Sequence, residues 1–323
     1  MPKLKILVTR RWPEAVEAAL HKKYDVTLNT SDGALSQDDF RIALSAYDAI
    51  LPTVTDKIGS KVFDVKKPRT RILGNYGVGY SHIDMTSAKA VGIVVSNTPD
   101  VLSNCTADIA ITLMLMTARR AGEGEREVRR GNWTGWRPTH LVGTQMTGKT
   151  LGIIGFGRIG REVAKRAHYG FNMKIVVQNR SKIKSEVLIK TNARQLNSIN
   201  DLLDVSDFIS IHCPGGDENR HLFSSKQFER MKNSAILINT ARGEVVDDDA
   251  LVAALHEKKI RAVGLDVFNG EPNIHAGLMD YENAVLLPHL GSATQETREA
   301  MGFRVLDNLD DFFGGKEPRD RVV

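Results

Sequence analysis

A chain of 323 residues, 41% hydrophobic and 26% charged, is long enough for two ordinary cores and too apolar for global disorder. No apolar run approaches the roughly 18 residues of a membrane span, and the two cysteines, Cys105 and Cys213, form neither a disulfide framework nor a ligand pattern, so neither membrane nor metal is expected. The net charge of +5 is dispersed, with Arg119/Arg120 and Arg129/Arg130 as its densest pairs and no recognition motif beside them; it points to an anionic small molecule rather than to nucleic acid.

Residues 5–9 predict a strand, 13–21 a helix and 25–28 a second strand. Arg10 and Arg11 stand where a secretion signal would still be apolar, so a cytoplasmic location is the expectation. Ser36 is placed to cap a helix over 37–45, with Asp38 and Asp39 in the first turn, where the helix dipole favours anions. Short strands follow at 49–51, 71–74 and 93–96. Strands alternating with helices predict a parallel sheet covered on its faces.

From about residue 100 to 128, the spacing of Ile109, Leu113 and Met116 predicts one long helix with an apolar face for packing. The polar, Gly- and Trp-containing stretch 131–148 reads as a connecting loop. A second alternating series starts at Lys149, with strands over 151–154, 174–178, 208–212, 235–239, 262–266 and 284–288; six strands suit a complete dinucleotide-binding sheet. The helical pattern at 295–313 follows after that sheet is complete and is expected to return to the first domain. The fold class is therefore α/β: two Rossmann-like or flavodoxin-like parallel-sheet domains with a cleft between them. Residues 1–98 plus 292–323 form the expected substrate-binding domain, and 99–291 the dinucleotide-binding one.

Gly155-Phe156-Gly157-Arg158-Ile159-Gly160 matches G-x-G-x-x-G. Alone that is a weak signal, since glycines also gather in ordinary turns, but here a strand precedes it and a helical pattern follows. Gly155 permits the tight turn, Gly157 admits a pyrophosphate to the backbone and Gly160 lets helix and strand close together. Amides at the helix start, from Arg158 and Ile159 onward, would hold the phosphates. About 20 residues further on, where a carboxylate would grip the ribose hydroxyls, stands Asn179, followed by Arg180, Ser181 and Lys182. No carboxylate is there to repel a 2′-phosphate, and Arg180 and Ser181 suit one, which favours NADP(H) with NAD(H) possible. The plainer reading is a solvated basic loop.

Three charged groups follow successive strands: Arg242, Glu271 and His289. Singly they read as surface charges and a loop histidine. Jointly they lie beyond the carboxyl ends of strands, where open α/β sheets bind their ligands.

The segments Asn239-Thr240-Ala241-Arg242-Gly243, Leu265-Asp266-Val267-Phe268-x-x-Glu271-Pro272 and Pro288-His289-Leu290-Gly291-Ser292-Ala293-Thr294 resemble signatures of the D-2-hydroxyacid dehydrogenase family. The segment 75–84 resembles its substrate loop. Trp136-Arg137-Pro138 and Glu271-Pro272-Asn273-Ile274-His275 are similar to the glyoxylate/hydroxypyruvate reductase branch. The resemblance implies reduction of a small 2-keto acid to the D-2-hydroxy acid, with His289 as general acid, Glu271 orienting the imidazole and favouring its charged form, and Arg242 binding the substrate carboxylate and carbonyl. It further implies backbone contacts from Val78 and Gly79 to the carboxylate. Cofactor contacts are implied from Thr106, Thr240, Ala241, Asp266 and Gly291, with Cys213 and Pro214 flanking the adenosine. A homodimer is implied too, in which Trp136 borders the partner's substrate site. Ser81 and Gly216 depart from the family pattern. Other functions considered are a phosphoglycerate-type dehydrogenase, disfavoured by the neutral Asn179, and a nucleotide-sensing regulator like the C-terminal-binding corepressors, disfavoured by the complete Arg–Glu–His set.

Overall fold

The computed structural model describes residues 2–323. Its contacts divide the chain into two units, Met1–Leu102 with Ala293–Val323, and Ser103–Ser292. The first division falls at Leu102 rather than at residue 98, because the helix that opens the second unit begins only at Ser103.

The first unit runs β1 (Lys5–Val8), α1 (Glu14–Lys23), β2 (Asp25–Leu28), α2 (Gln37–Ala46), β3 (Ala49–Leu51), β4 (Ile72–Gly74), α3 (Met85–Ala90) and β5 (Val94–Ser96). Its sheet is parallel throughout, in the order β2-β1-β3-β4-β5. Ser36 caps α2 by accepting from the Asp39 amide while Asp39 reaches back to the Ser36 amide, a reciprocal box worth about 1 kcal/mol. Phe40 and Leu44 of that helix pack on Ile50, Leu73 and Val95.

The second unit runs α4 (Ser103–Ala118), α5 (Ala121–Arg129), β6 (Thr150–Ile154), α6 (Arg158–Lys165), β7 (Lys174–Gln178), α7 (Ser185–Lys190), β8 (Ala193–Gln195), α8 (Ile199–Val205), β9 (Phe208–Ile211), α9 (Ser225–Arg230), β10 (Ile236–Asn239), α10 (Asp248–His256), β11 (Ala262–Leu265) and β12 (Ala284–Leu286). The seven strands are parallel, in the order β12-β11-β10-β9-β6-β7-β8. Strands β9, β10 and β11 are buried at every position, as a sheet covered on both faces requires. The chain reverses its direction of winding between β6 and β9, so the topological switch point lies at the carboxyl ends of those two strands.

Two expectations are corrected. The long helix over 100–128 is two helices, broken where Arg120 takes φ 54°. The loop after α5 folds back there: the Thr144 amide donates to the Ala118 carbonyl at 2.7 Å, and a Cβ on Gly143 would lie 2.3 Å from the same oxygen. Competition for the last carbonyls of α4 is a tertiary effect that its apolar spacing does not announce. The sheet also has a seventh strand, β8, three residues at the outer edge of which none is buried and two are polar. It carries no alternation to read.

Helix α11 (Gln295–Phe313) belongs to the first unit. It packs so close to β4 that a Cβ on Gly74 would lie 2.7 Å from Val305 Cγ1, and Gly302 meets Val16 of α1 in the same way. Beyond it, residues 321–323 run back antiparallel along β5, with Ser96 bridging Arg321 and the Val322 amide donating to the Val95 carbonyl at 2.7 Å.

Candidate active site

The glycine loop joins β6 to α6 at the switch point. Gly155 has φ 86°, and a Cβ there would sit 2.5 Å from the Cys213 amide nitrogen just beyond β9. A Cβ on Gly160 would lie 2.5 Å from the Gly155 carbonyl, so helix and strand approach too closely for any side chain. At Gly157, the N-cap of α6, a Cβ would meet nothing within 4 Å. That open side, at the start of α6 beside the first-turn amides of Ile159 and Gly160, is room for a pyrophosphate.

Asn179 follows β7 and is tied into this loop. Its Oδ1 accepts from the Phe156 amide at 3.1 Å, and its Nδ2 donates to Ser181 O and Oγ, each at 3.0 Å. Arg180 is exposed, with its Nη1 2.8 Å from Glu218 Oε2. Pro214 is exposed, and its carbonyl accepts from Asn219 Nδ2. Burial pushes the Cys213 thiol up to about 11 and the His212 imidazole down to about 3, so both are neutral near pH 7. His212 Nδ1 and Thr240 Oγ1, beyond the carboxyl ends of β9 and β10, are buried polar atoms without a partner among the described residues. Unsatisfied groups there cost free energy that a polar ligand would recover. The loop, the open helix start and these orphan atoms together fit a dinucleotide.

Beyond β10, Asn239 shapes the turn that carries Arg242. Its Oδ1 accepts from the Ala241 amide at 3.0 Å, and its Nδ2 donates to the Arg242 carbonyl at 2.9 Å. Gly243 follows because a Cβ would lie 1.9 Å from the Phe268 carbonyl carbon. The Arg242 side chain is partly buried, and its Nη1 donates to the Ala241 carbonyl at 2.6 Å. Burial draws its pKa below the ordinary value, while Glu244 and Glu271 favour the charge. Among the described residues it forms no ion pair. A partly buried guanidinium in no direct ion pair is costly to maintain and marks a place for an anion.

Beyond β11, Glu271 Oε1 accepts from the Phe268 amide at 2.9 Å, and Oε2 lies 2.8 Å from His289 Nδ1. Burial opposes its charge, but the His289 contact, the Phe268 amide and Arg242 outweigh that and hold the carboxyl below the usual range. His289, beyond β12, has φ 55°, a conformation costly for a residue with a Cβ. It is fixed by its neighbours. Asp266 accepts from the amides of Leu290 and Gly291 at 2.6 and 2.7 Å, and Thr106 Oγ1 donates to the Gly291 carbonyl at 2.9 Å. Burial raises the Asp266 carboxyl, against the pull of those amides and of His289. Thr106 and Asp266, read from the sequence as cofactor-side residues, thus hold the turn on which His289 stands. Asn239 entered the sequence reading only as part of a signature, with no role of its own; an asparagine closing a buried apolar strand was the available signal. The second unit therefore gathers Arg242, Glu271 and His289 beyond the carboxyl ends of adjacent strands β10, β11 and β12.

In the first unit, the segment after β4 carries Val78 and Gly79, whose amides meet no backbone acceptor among the described residues. Trp136 and Trp133 are 81% and 54% exposed, so neither folds onto its own unit as large aromatics usually do. No helix among the described residues is long and apolar enough to cross a membrane, and none of their His, Cys, Asp and Glu groups could hold a metal ion.

Residues 111–291 match the family described as D-isomer specific 2-hydroxyacid dehydrogenase, NAD binding domain. The chain belongs to that family. It is 40% identical over 317 residues to a glycerate dehydrogenase of Hyphomicrobium methylovorum, covering 98% of each chain. It is 42% identical over 324 residues to a glyoxylate reductase of Thermococcus litoralis, covering 99% of this chain and 97% of the relative. The crystal structure of an NADPH-dependent glyoxylate/hydroxypyruvate reductase from Sinorhizobium meliloti, in complex with NADP and malonate, superposes with a TM-score of 0.88 at 31% identity, over 99% of this chain and 97% of that one. The chain is thus a 2-hydroxyacid dehydrogenase with a nicotinamide-binding Rossmann sheet.

Proposed function

We propose that this dehydrogenase reduces a small 2-keto acid of the glyoxylate/hydroxypyruvate type to the D-2-hydroxy acid, with NADPH preferred. The observation that carries the reading is the Glu271–His289 contact at 2.8 Å beyond strands that also present an unpaired Arg242. With Nδ1 engaged by Glu271, His289 delivers its proton from Nε2 to the developing alkoxide. Arg242 neutralises the carboxylate and polarises the carbonyl with its planar fork. The Val78 and Gly79 amides hold the carboxylate. Reduced nicotinamide, when bound, supplies the hydride; the glycine loop and the α6 amides position it. Relatives named glyoxylate reductase and glycerate dehydrogenase support the substrate class, since glycerate is the product of hydroxypyruvate reduction. Initial rates on glyoxylate, hydroxypyruvate, pyruvate and phenylpyruvate with each reduced cofactor test the assignment; fastest turnover of phenylpyruvate would overturn the small-substrate reading.

Support for NADPH comes from Asn179 in place of a carboxylate and from the S. meliloti relative, whose structure holds NADP. The Arg180–Glu218 pair is no obstacle. Both side chains are more than three-quarters exposed, and such pairs are worth at most about 1 kcal/mol, less than a charge-assisted bond to phosphate. Arg180→Ala is expected to raise the KM for NADPH about tenfold and that for NADH less than about twofold. Equal losses with both cofactors would remove Arg180 from the phosphate site.

We further propose a two-fold homodimer in which the Trp136 loop reaches the partner subunit. The exposed apolar residues Val128, Trp133, Trp136 and Val142 support it, because an isologous contact would bury the same loop twice.

A further inference from the structure

We propose that Asp320 and Asn308, acting through Asn97, are positioning residues for the carboxylate-binding loop of the first unit. The inference rests on the reading that the Val78 and Gly79 amides hold the substrate carboxylate. In a trans peptide the C=O of one residue and the N–H of the next point in opposite directions. The Gly77 carbonyl accepts from Asn75 Nδ2 at 3.0 Å and from the Thr98 amide at 3.1 Å, which turns the Val78 N–H the other way. The Val78 carbonyl accepts from Asn97 Nδ2 at 2.8 Å, which does the same for the Gly79 N–H. The Gly79 carbonyl accepts from Asn75 Nδ2 at 3.0 Å. Side-chain amides thus decide which face of this loop is a donor.

Asn97 is in turn gripped at both ends of its own backbone. Its amide donates to the Asp320 carbonyl at 3.2 Å, and its carbonyl accepts from Asn308 Nδ2 at 3.3 Å. Asn308, fully buried on α11, pairs reciprocally with Asp320: Nδ2 to Oδ2 at 3.0 Å, and the Asp320 amide to Oδ1 at 3.1 Å. Arg304, a turn earlier on α11, clamps the Asp320 carboxylate with Nε at 2.5 Å and Nη2 at 2.9 Å. A tail anchor alone would need only the Arg304–Asp320 pair. The continuation through Asn308 and both ends of Asn97 to the Val78 carbonyl is what assigns the network to substrate positioning. Buried polar networks of this kind fix one conformation when every member is satisfied.

The test is steady-state kinetics with glyoxylate and NADPH on the full chain, with malonate as a dead-end carboxylate. Asn97→Ala should raise the KM for glyoxylate and the Ki for malonate together, by about tenfold, the equivalent of one hydrogen bond. Both kcat and the NADPH dissociation constant should stay within about twofold. Asp320→Asn, which keeps shape but removes charge, should raise the same two constants about threefold alone and add nothing in the Asn97→Ala background, the mark of action through Asn97. A merely structural role would lower the melting temperature and the active fraction while leaving KM and Ki unchanged, and that result overturns the proposal, as does full additivity. If Asn97→Ala does not fold, Asp320→Asn alone decides in the same two directions. A wild-type protein inactive on every 2-keto acid would overturn the functional reading and this inference with it; an active wild type with unmoved variants overturns the inference alone.

Discussion

Replacing His289 with alanine is expected to lower kcat for keto-acid reduction by about 10²–10⁴-fold, the usual span for a lost general acid, while NADPH binding is retained. The imidazole faces Glu271 through Nδ1, so in the proposed role its proton leaves from the other nitrogen and no second acid stands in the set. The partner residue gives the sign of the pH dependence. Glu271 is held below the ordinary carboxylate range, so its charge is present above that range and is lost only as the pH falls through its lowered value. On the proposed mechanism reduction needs the protonated imidazole, so the rate is expected to fall on the alkaline side. Glu271→Gln removes a charge in contact with the imidazole, and the alkaline limb of the kcat/KM profile should move to lower pH. Stopped-flow or steady-state NADPH consumption across the pH range measures both. Wild-type turnover in His289→Ala, or an alkaline limb unmoved in Glu271→Gln, would contradict these roles.

The second large effect concerns Arg242. Arg242→Ala should reduce kcat/KM by about 10³-fold or more, since a fork placed as proposed on both carboxylate and carbonyl contributes more as the alkoxide develops than in the ground state. Arg242→Lys should recover only part of this, because a point charge replaces a bidentate donor. The effect should fall on kcat as well as KM, which separates it from the KM-dominated losses expected at Asn97. The absence of an ion pair at Arg242 has a further implication for folding. Burial disfavours the guanidinium charge in the native chain more than Glu244 and Glu271 favour it, so the alanine variant should be no less stable than wild type in thermal melts.

The sheet and the site differ in how far they were legible. Short apolar runs such as 236–239 and 262–265 identified buried parallel strands, and the glycine loop was readable because Gly155 and Gly160 answer local steric demands while Gly157 leaves open space at the helix start. Arg242, Glu271 and His289 were legible because each follows a strand. The break at Arg120 was not, since the Thr144 amide that ends α4 arrives from a loop beyond α5. The tie from Asn179 to Phe156 was invisible for a similar reason. The residue was read only for the missing charge, whereas its amide also braces the glycine loop. Least legible was the link from Asn97 to Asn308, which spans 211 positions of chain and rests on two asparagines that carry no motif.

The antiparallel run of residues 321–323 along β5 bears on behaviour in a crowded solution. β5 is one of the two outer strands of its sheet, and an outer strand with unpaired amides is a template on which another copy can continue the ladder. Here the chain occupies that template itself, with Val322 and Val323 bonded to Val95 and the charged Arg321 opposite Ser96. Covering the edge withholds Val94 and Val95 from intermolecular pairing. Loosening of this segment would therefore reveal itself first as concentration-dependent aggregation, before any loss of helix or sheet within the single molecule.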